Sequence, residues 1–302
     1  MISMTRITIV PLFALILLFA TATPGRADEP ANGLKVVASI FPIHALTAGV
    51  MEGIGEPGLL LDPTVSPHHF SLKPSQARLL QEADLIIWVG PTLEYPLNSS
   101  IANLPAERSL TLVTDADEHG HEDEHGHEDE HFNAHLWLDP IAAKDIVSVI
   151  GGRLRALDPT HAALYDENVS RLVARLDALE AELVEQLRPI ARSPYIVYHD
   201  AYGPFERRFD LNNVGIVTKH AEDAPSAGRI RHIRAVISEQ KVRCVFREPQ
   251  FEPNAINIIA ENSDIKIGEL DPLGVGLTPG VNGYFSLMHK LGESFATCLG
   301  RT

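Results

Sequence analysis

The stretch from Asp158 to Leu187, "DPTHAALYDENVSRLVARLDALEAELVEQL", contains the clearest helical pattern in this chain of 302 residues. Asp158 is suited to the N-cap position and Pro159 to the first helical position, and Pro189 ends the pattern. At about 1.5 Å per residue, the helix would be roughly 43 Å long and stiff. Leucines recur at spacings of three and four, which predicts one apolar stripe along it. They are Leu172, Leu176, Leu179, Leu183 and Leu187.

Two interpretations of this helix are open. It could form the seam of a coiled-coil dimer, or it could be a single helix that supports two lobes of the same chain. Short apolar runs alternate with helical patterns on both sides of it, which indicates α/β layers around parallel strands. The candidate strands in the first half are residues 35–39, 58–61, 85–89 and 109–113. Those in the second half are residues 195–198, 214–217, 242–246 and 265–269. The two groups of strands favour two lobes.

The N-terminus has the pattern of a secretory signal peptide. One Arg precedes an apolar run from Ile7 to Ala20, which is too short for a membrane span and suits a signal sequence. Cleavage could follow Ala22 or Ala27, and we favour Ala27, so that residues 1–27 are removed. Because no Cys lies near either point, we expect a soluble periplasmic protein without a lipid anchor and not embedded in the membrane.

Cys244 and Cys298 are the two cysteines of the sequence. In an oxidising compartment, two cysteines most simply form one disulfide. The alternative is a pair of buried thiols that behave as small apolar residues. Their spacing is not that of a zinc or redox motif.

The segment 115–131 is acidic and rich in histidine, and it includes the repeat "HGHEDEHGHEDE". It contains nine acidic residues and no Lys or Arg, so the rest of the chain accounts for only −6 of the net charge of −15. Such a modest charge without clustered basic residues argues against nucleic acid as a partner. The composition predicts weak metal contacts, and a solvated acidic segment is the alternative. The imidazoles concerned are those of His119, His121, His125, His127 and His131.

Three histidines outside this segment have a distinctive context. His68 lies in "VSPHHFSLKPSQ", His135 in "NAHLWLDP", and His199 in "YIVYHDAYGPF" at the end of an apolar run. Asp271 follows another such run, "IKIGEL". Ligands of open parallel sheets bind outside the carboxyl ends of the strands, and zinc takes four ligands that are commonly imidazole, carboxylate or water. Each His alone is more often a hydrogen-bonded loop or core residue, but together they predict a zinc site.

The motifs "PHHFSLKPSQ", "AHLWLDP", "YHDAYGPFERRFDL" and "LDPLG" occur in this order around the long helix. In these motifs the chain resembles the metal-binding solute-binding proteins of ABC importers, specifically the periplasmic zinc-uptake branch. The resemblance implies two Rossmann-like lobes joined by a rigid helix, with the metal in the cleft between them. We expect an N-terminal lobe at 28–157, the linking helix at 158–188 and a C-terminal lobe at 189–302. The resemblance also implies delivery of zinc to a membrane permease, and we expect the protein to be a monomer.

The same resemblance assigns His68, His135 and His199 as the first three ligands. Asp271 matches an acidic fourth position, which binds the metal or gives way to water. His68 is preferred to His69 because Pro67 precedes it as in the family pattern. Manganese-binding relatives usually carry Glu at the third position, so His199 favours zinc. The His-rich segment is also a feature of the zinc branch. Cys244 and Cys298 match a disulfide that many members of this branch contain.

The predicted chemistry is capture and not catalysis. Asp200 and Glu222 could act as general bases, but the sequence has no zinc hydrolase motif such as HExxH. The alternatives are a manganese or broad-specificity importer protein and a secreted zinc hydrolase. Glu94 in "GPTLEYPL" resembles a family segment near the cleft, and a strand-end turn residue is the other interpretation. The remaining histidines, His44, His161, His220, His232 and His289, are interpreted as ordinary surface or core residues.

Overall fold

The computed structural model of the chain describes residues 33–113, 132–219 and 222–300. The predicted signal sequence, the acidic segment 115–131 and His220 lie outside the described residues. Within the described part of the chain, no helix has both the length and the apolar character needed to cross a membrane.

Eight short strands form two sheets of four, and every strand pair is parallel. The first sheet has the order β2-β1-β3-β4, with β1 Val36–Ala38, β2 Gly58–Leu59, β3 Leu85–Trp88 and β4 Ser109–Thr111. The second has the order β6-β5-β7-β8, with β5 Tyr195–Val197, β6 Asn213–Ile216, β7 Cys244–Arg247 and β8 Lys266–Glu269. Each predicted strand overlaps one of these, so the α/β class with two parallel-sheet lobes is confirmed. In each sheet the strand order reverses beside the first strand, which is where open α/β sheets bind ligands.

Helices pack around the two sheets. Those in the first half are α1 Phe41–Val50, α2 Pro74–Glu82, α3 Asn98–Ala102 and α4 Pro140–Leu157, and they are followed by the long helix α5, Ala162–Leu187. Those in the second half are α6 Gly203–Arg208, α7 Ala227–Gln240, α8 Asn254–Ala260 and α9 Gly283–Leu299.

The long helix α5 carries the predicted leucine stripe, and all five leucines are at most 2% exposed. The helix packs against α4 and also contacts α1 and α9, so the stripe is buried within the chain. The interpretation of this stripe as a coiled-coil dimer seam is therefore wrong. The α-helix also starts later than predicted, because a 3-10 turn occupies Pro159–His161. The Asp158 carboxylate does not cap the backbone and instead accepts hydrogen bonds from His161 and Tyr165.

One hydrophobic core extends through both sheets and the long helix. It includes Ile86 of β3, Leu179 of α5 and Phe246 of β7. Phe41 of α1 packs closely against the second half of the chain, where a Cβ atom at Gly274 would lie 2.7 Å from its ring. Gly274 also has a φ of +81°, which a residue with a side chain rarely adopts. The two lobes thus share buried apolar surface, and the predicted boundaries between them remain predictions.

Cys244 of β7 and Cys298 of α9 form a disulfide. The expectation of one disulfide is confirmed, and the alternative of two buried thiols is wrong. The bond ties the second sheet to the last helix.

Glu94 is fully buried beside the carboxyl end of β3. Its Oε2 accepts hydrogen bonds from the backbone N–H of Val89 at 2.7 Å and of Gly90 at 3.1 Å. Burial nevertheless raises the pKa of Glu94 to about 7, because these donors offset only part of the desolvation of the charged form. The carboxyl group therefore closes the turn after β3, and this contact supports the interpretation of Glu94 as a strand-end turn residue.

The raised pKa of Glu94 predicts how its replacement changes the pH dependence of stability. The folded protein holds this proton more tightly than the unfolded chain, so its contribution to stability is complete below pH 4.5 and is lost as the pH rises towards 7. Between pH 4.5 and 8 we expect the wild type to lose up to about 3 kcal/mol more stability than Glu94→Gln. Urea unfolding of both proteins at pH 5 and pH 8 measures the difference. Parallel pH dependences would show that Glu94 titrates normally.

Candidate metal centre

His135 is oriented by the segment that precedes the 3-10 turn Leu136–Leu138. Its backbone N–H donates to Oδ1 of Asn133 at 3.0 Å, and its ring Nδ1 lies 2.8 Å from the same oxygen. The Asn133 amide nitrogen donates to the carbonyl and carboxylate oxygens of Asp200, at 3.0 and 3.1 Å. Oδ1 of Asn133 is therefore an acceptor, so Nδ1 of His135 carries the proton and Nε2 remains for a ligand.

His199 lies just beyond the carboxyl end of β5 and is only 4% exposed. Its Nδ1 lies 2.6 Å from Oε1 of Glu248, which directly follows β7 and is 2% exposed. Burial raises the pKa of Glu248, while the adjacent His199 ring opposes that shift. Nε2 of His199 is buried and has no hydrogen-bond partner among the described residues. A carboxylate behind Nδ1 fixes the tautomer that presents Nε2 to a metal.

His68 belongs to the segment between β2 and α2. Its backbone N–H lies 3.3 Å from the hydroxyl oxygen of Ser66, which accepts the hydrogen bond. Pro67 is buried and His68 is half-buried, whereas the neighbouring His69 is exposed. The chain direction after Pro67 thus turns His68 inward and His69 outward.

The structure brings His68, His135 and His199 together. Their potential ligand atoms all lie within 4.8 Å of one another. The ring centroids form a nearly regular triangle with sides of 5.3, 5.4 and 5.7 Å. Zinc–nitrogen bonds of about 2.0–2.1 Å in a tetrahedron place the nitrogens about 3.3 Å apart, so small ring movements would complete such a site.

Asp271 is not part of this group of ligand atoms. Its Oδ1 accepts hydrogen bonds from the N–H groups of Leu273 and Gly274, both at 3.0 Å, and Oδ2 accepts one from Val275 at 2.5 Å. The side-chain amide of Gln250 donates to Oδ1 as well, at 3.0 Å. The carboxylate organises its own turn, and a role as fourth ligand remains a prediction.

The electrostatic environment favours the neutral form of the His135 imidazole. Burial, together with the nearby rings of His199 and His68, lowers the pKa of His135 well below its ordinary value. A lowered pKa keeps the ring deprotonated at neutral pH and below, which is the form that binds metals. His135 is thus ready to coordinate without first releasing a proton.

The cavity that the three rings line has a volume of about 10 Å³. A single water needs about 10–15 Å³ by the same measure, so the cavity has the size of one ion or one water. Glu248 and Gln250 also line it, and each has one buried oxygen without a partner among the described residues. These two oxygens are suited to accept hydrogen bonds from a water that completes the coordination of an ion.

The sequence analysis missed Glu248, Asn133 and Gln250. Glu248 had a recognisable signal, because it lies within two residues of the end of a predicted strand, as His199 and Asp271 do. The two acids considered as general bases have other partners in the structure. Asp200 accepts hydrogen bonds from Asn133, and Glu222 accepts one from Ser66 at 2.7 Å.

The other described histidines lie away from this group. His44 is buried, its Nε2 donates to the carbonyl of Pro57 at 3.0 Å, and burial lowers its pKa. His161 and His232 are exposed, and His289 is half-buried. Within residues 33–113, 132–219 and 222–300, the three clustered imidazoles form the single group of at least three potential metal-binding side chains.

The family of this chain follows from comparison with known proteins. Residues 36–298 match the family described as zinc-uptake complex component A, periplasmic (ZnuA). The chain belongs to this family. The ZnuA family match includes all three clustered histidines and Asp271, and it confirms the resemblance inferred from the four motifs.

Individual ZnuA proteins are similar to this chain along most of their length. The high-affinity zinc uptake system protein ZnuA of Brucella suis is 35% identical over 306 residues, covering 88% of this chain and 92% of the relative. That of Paracoccus denitrificans is also 35% identical, covering 92% of this chain and 94% of the relative. ZnuA proteins are periplasmic uptake components and not enzymes. The expectation of capture without catalysis is therefore confirmed, and the hydrolase alternative is wrong.

Solved structures show the same fold. A crystal structure of a zinc-bound ZnuA deletion mutant has a TM-score of 0.74 at 22% identity, covering 90% of this chain and all of that one. The periplasmic zinc-binding protein TroA of Treponema pallidum has a TM-score of 0.77 at 21% identity, covering 89% of this chain and all of that one. At these identities the similarity extends to the fold alone.

Proposed function

We propose that this chain captures zinc in the periplasm and delivers it to the membrane permease of an ABC importer. The observation that carries the proposal is the triangle of His68, His135 and His199, two of them buried and one half-buried, around a cavity of the size of one ion. Borderline zinc prefers imidazole nitrogen, whereas manganese prefers harder oxygen ligands. Family membership and the names of the ZnuA relatives support the same cargo.

In the proposed complex, Nε2 of His135 and Nε2 of His199 are two of the ligands, and the ring of His68 supplies the third. Water is the fourth ligand that the contacts favour, because both oxygens of Asp271 already accept hydrogen bonds. Asn133 and Glu248 hold the first two rings in place from behind. The site can therefore bind zinc with high affinity without a charged ligand. The exported chain is proposed to act as a monomer after removal of residues 1–27.

The histidines of segment 115–131 are proposed to be accessory ligands. The sequence places them just ahead of His135, where they could collect zinc weakly before it enters the buried centre. Five imidazoles among nine carboxylates suit weak and exchangeable contacts. The tight site does not need them in this proposal.

Metal competition tests the proposed cargo. Protein purified without added metal should contain close to one equivalent of zinc, and a hundredfold excess of manganese should not displace it. A variant that lacks residues 118–130 should keep the one tight site and lose only weaker binding. Affinity should be lower at pH 5 than at pH 8, since protons compete with zinc for the imidazole nitrogens. Tight manganese binding, or equal zinc affinity at pH 5 and pH 8, would contradict the proposal.

A further inference from the structure

We propose that two hydrogen bonds between the lobes form a clasp that determines how slowly zinc leaves the site. The clasp consists of the contact from Gln250 to Pro63 and the contact from Ser66 to Glu222. It holds the first-ligand segment, defined as residues 62–72, which carries His68. The inference rests on the proposed function, because it takes zinc as the cargo.

Each of the three ligands lies on a different segment of the chain, and the first-ligand segment is the least constrained of these. It contains no helix or strand, and both Thr64 and His69 are exposed. By contrast, His135 and His199 are at most 6% exposed, whereas His68 is half-buried. Movement of this segment would withdraw one ligand while the other two stay in place.

Gln250 connects the segment to the C-terminal lobe. Its amide nitrogen has two hydrogens, and it donates to the carbonyl of Pro63 at 2.9 Å and to Oδ1 of Asp271 at 3.0 Å. Asp271 is itself fixed by the N–H groups of its own turn. The backbone ahead of His68 is thereby tied to one of the most strongly bonded turns near the site.

Ser66 makes the second connection. Its hydroxyl donates to Oε1 of Glu222 at 2.7 Å and accepts from the backbone N–H of His68 at 3.3 Å. Glu222 is exposed at the rim of the C-terminal lobe. A short chain of hydrogen bonds therefore runs from Glu222 through Ser66 to the backbone of the ligand.

Segment movement costs less than separation of the lobes. The lobes share a core, and Phe41 is packed against Gly274 and Gly283, so opening the whole cleft would expose apolar surface. Release of the clasp breaks polar contacts that water can replace. Zinc exchange through the first-ligand segment is therefore the easier route.

Stopped-flow mixing of the zinc-loaded mature protein with excess chelator measures the dissociation rate. Glu222→Ala should increase this rate about three- to tenfold, which is the range expected for loss of one hydrogen bond. Gln250→Leu loses the bonds to Pro63 and to Asp271 and should increase the rate at least as much. The association rate should change less than twofold, because the ligands themselves are unchanged. A role confined to folding would lower the thermal stability and leave the dissociation rate of the folded protein unchanged.

Matched variants separate the clasp from charge and from general damage. Asp223→Ala removes an equal charge beside Glu222, and zinc should dissociate from it at the wild-type rate. Zinc should also dissociate at the wild-type rate from Glu222→Gln, which keeps an acceptor for Ser66. Adding Glu222→Ala to Ser66→Ala should have no further effect, because both remove the same bond. Adding Glu222→Ala to Gln250→Leu should multiply the two effects.

Two results would overturn the inference. One is a wild-type dissociation rate in both Gln250→Leu and Glu222→Ala, measured on a wild type that holds zinc tightly. The other is an equal acceleration by Asp223→Ala, which would assign the effect to charge. A wild type that does not retain zinc would instead overturn the proposed function, and with it the clasp.

Discussion

Replacing His199 by alanine is expected to lower the affinity for zinc about 100- to 1,000-fold. This range follows because one ligand supplies about a third or a quarter of the total binding free energy. The variant loses a coordinating nitrogen and also leaves the buried carboxylate of Glu248 without its 2.6 Å partner. Because an unpaired buried charge is costly, the cavity should admit water and the two remaining rings should lose their fixed geometry. Competition against a chelator of known affinity measures the loss.

Glu248→Gln provides a graded comparison. Its amide oxygen can still accept from Nδ1 of His199, so the tautomer is retained while the negative charge is lost. Changes to groups behind a metal ligand typically cost 10- to 100-fold in affinity, so this variant should lie between the wild type and His199→Ala. His232→Ala, which removes an exposed histidine of the same lobe, should bind zinc like the wild type. Wild-type affinity in His199→Ala would exclude the histidine triangle as the zinc site.

The strands were predictable because buried parallel strands are nearly continuous apolar runs. In the structure, residues Tyr195–Val197 and Cys244–Phe246 of two such runs are only 0–1% exposed. The leucine stripe was predictable for the same reason, since burial on one side imposes a helical period. The start of α5 was predicted too early, because Asp158 and Pro159 also suit the 3-10 turn that precedes it.

The hydrogen bonds behind the ligands depend on contacts between distant parts of the chain. His199 and Glu248 are 49 residues apart, and Ser66 and Glu222 are 156 residues apart. No local pattern encodes these pairs, although their positions after strands indicate which edge of the sheet they occupy. Asp271 is the instructive case, because its place after a strand suggested a ligand. An Asp followed by a turn also tends to bond to the N–H groups just ahead of it, and its oxygens do so here.

Removal of the disulfide is expected to destabilise the protein by about 4 kcal/mol, because the bond lowers the conformational entropy of the unfolded chain by closing a loop. The bond joins residues 54 apart in sequence, and both sulfurs lie in the core between β7 and α9. The double variant Cys244→Ala with Cys298→Ala is the appropriate test, since either single change would leave a reactive thiol. Urea unfolding of the metal-free protein gives the difference in unfolding free energy.

Zinc affinity should separate this stabilising role from a role in the site. The three clustered histidines lie just beyond β5 and on loops of the N-terminal half, and neither cysteine lines the cavity. Where the double variant is folded, its zinc affinity should therefore stay within about twofold of the wild type, and saturating zinc should raise both unfolding free energies equally. A loss below about 1 kcal/mol would contradict the closure argument. A large loss of affinity would instead show that the bond positions β7, and through it Glu248, against His199.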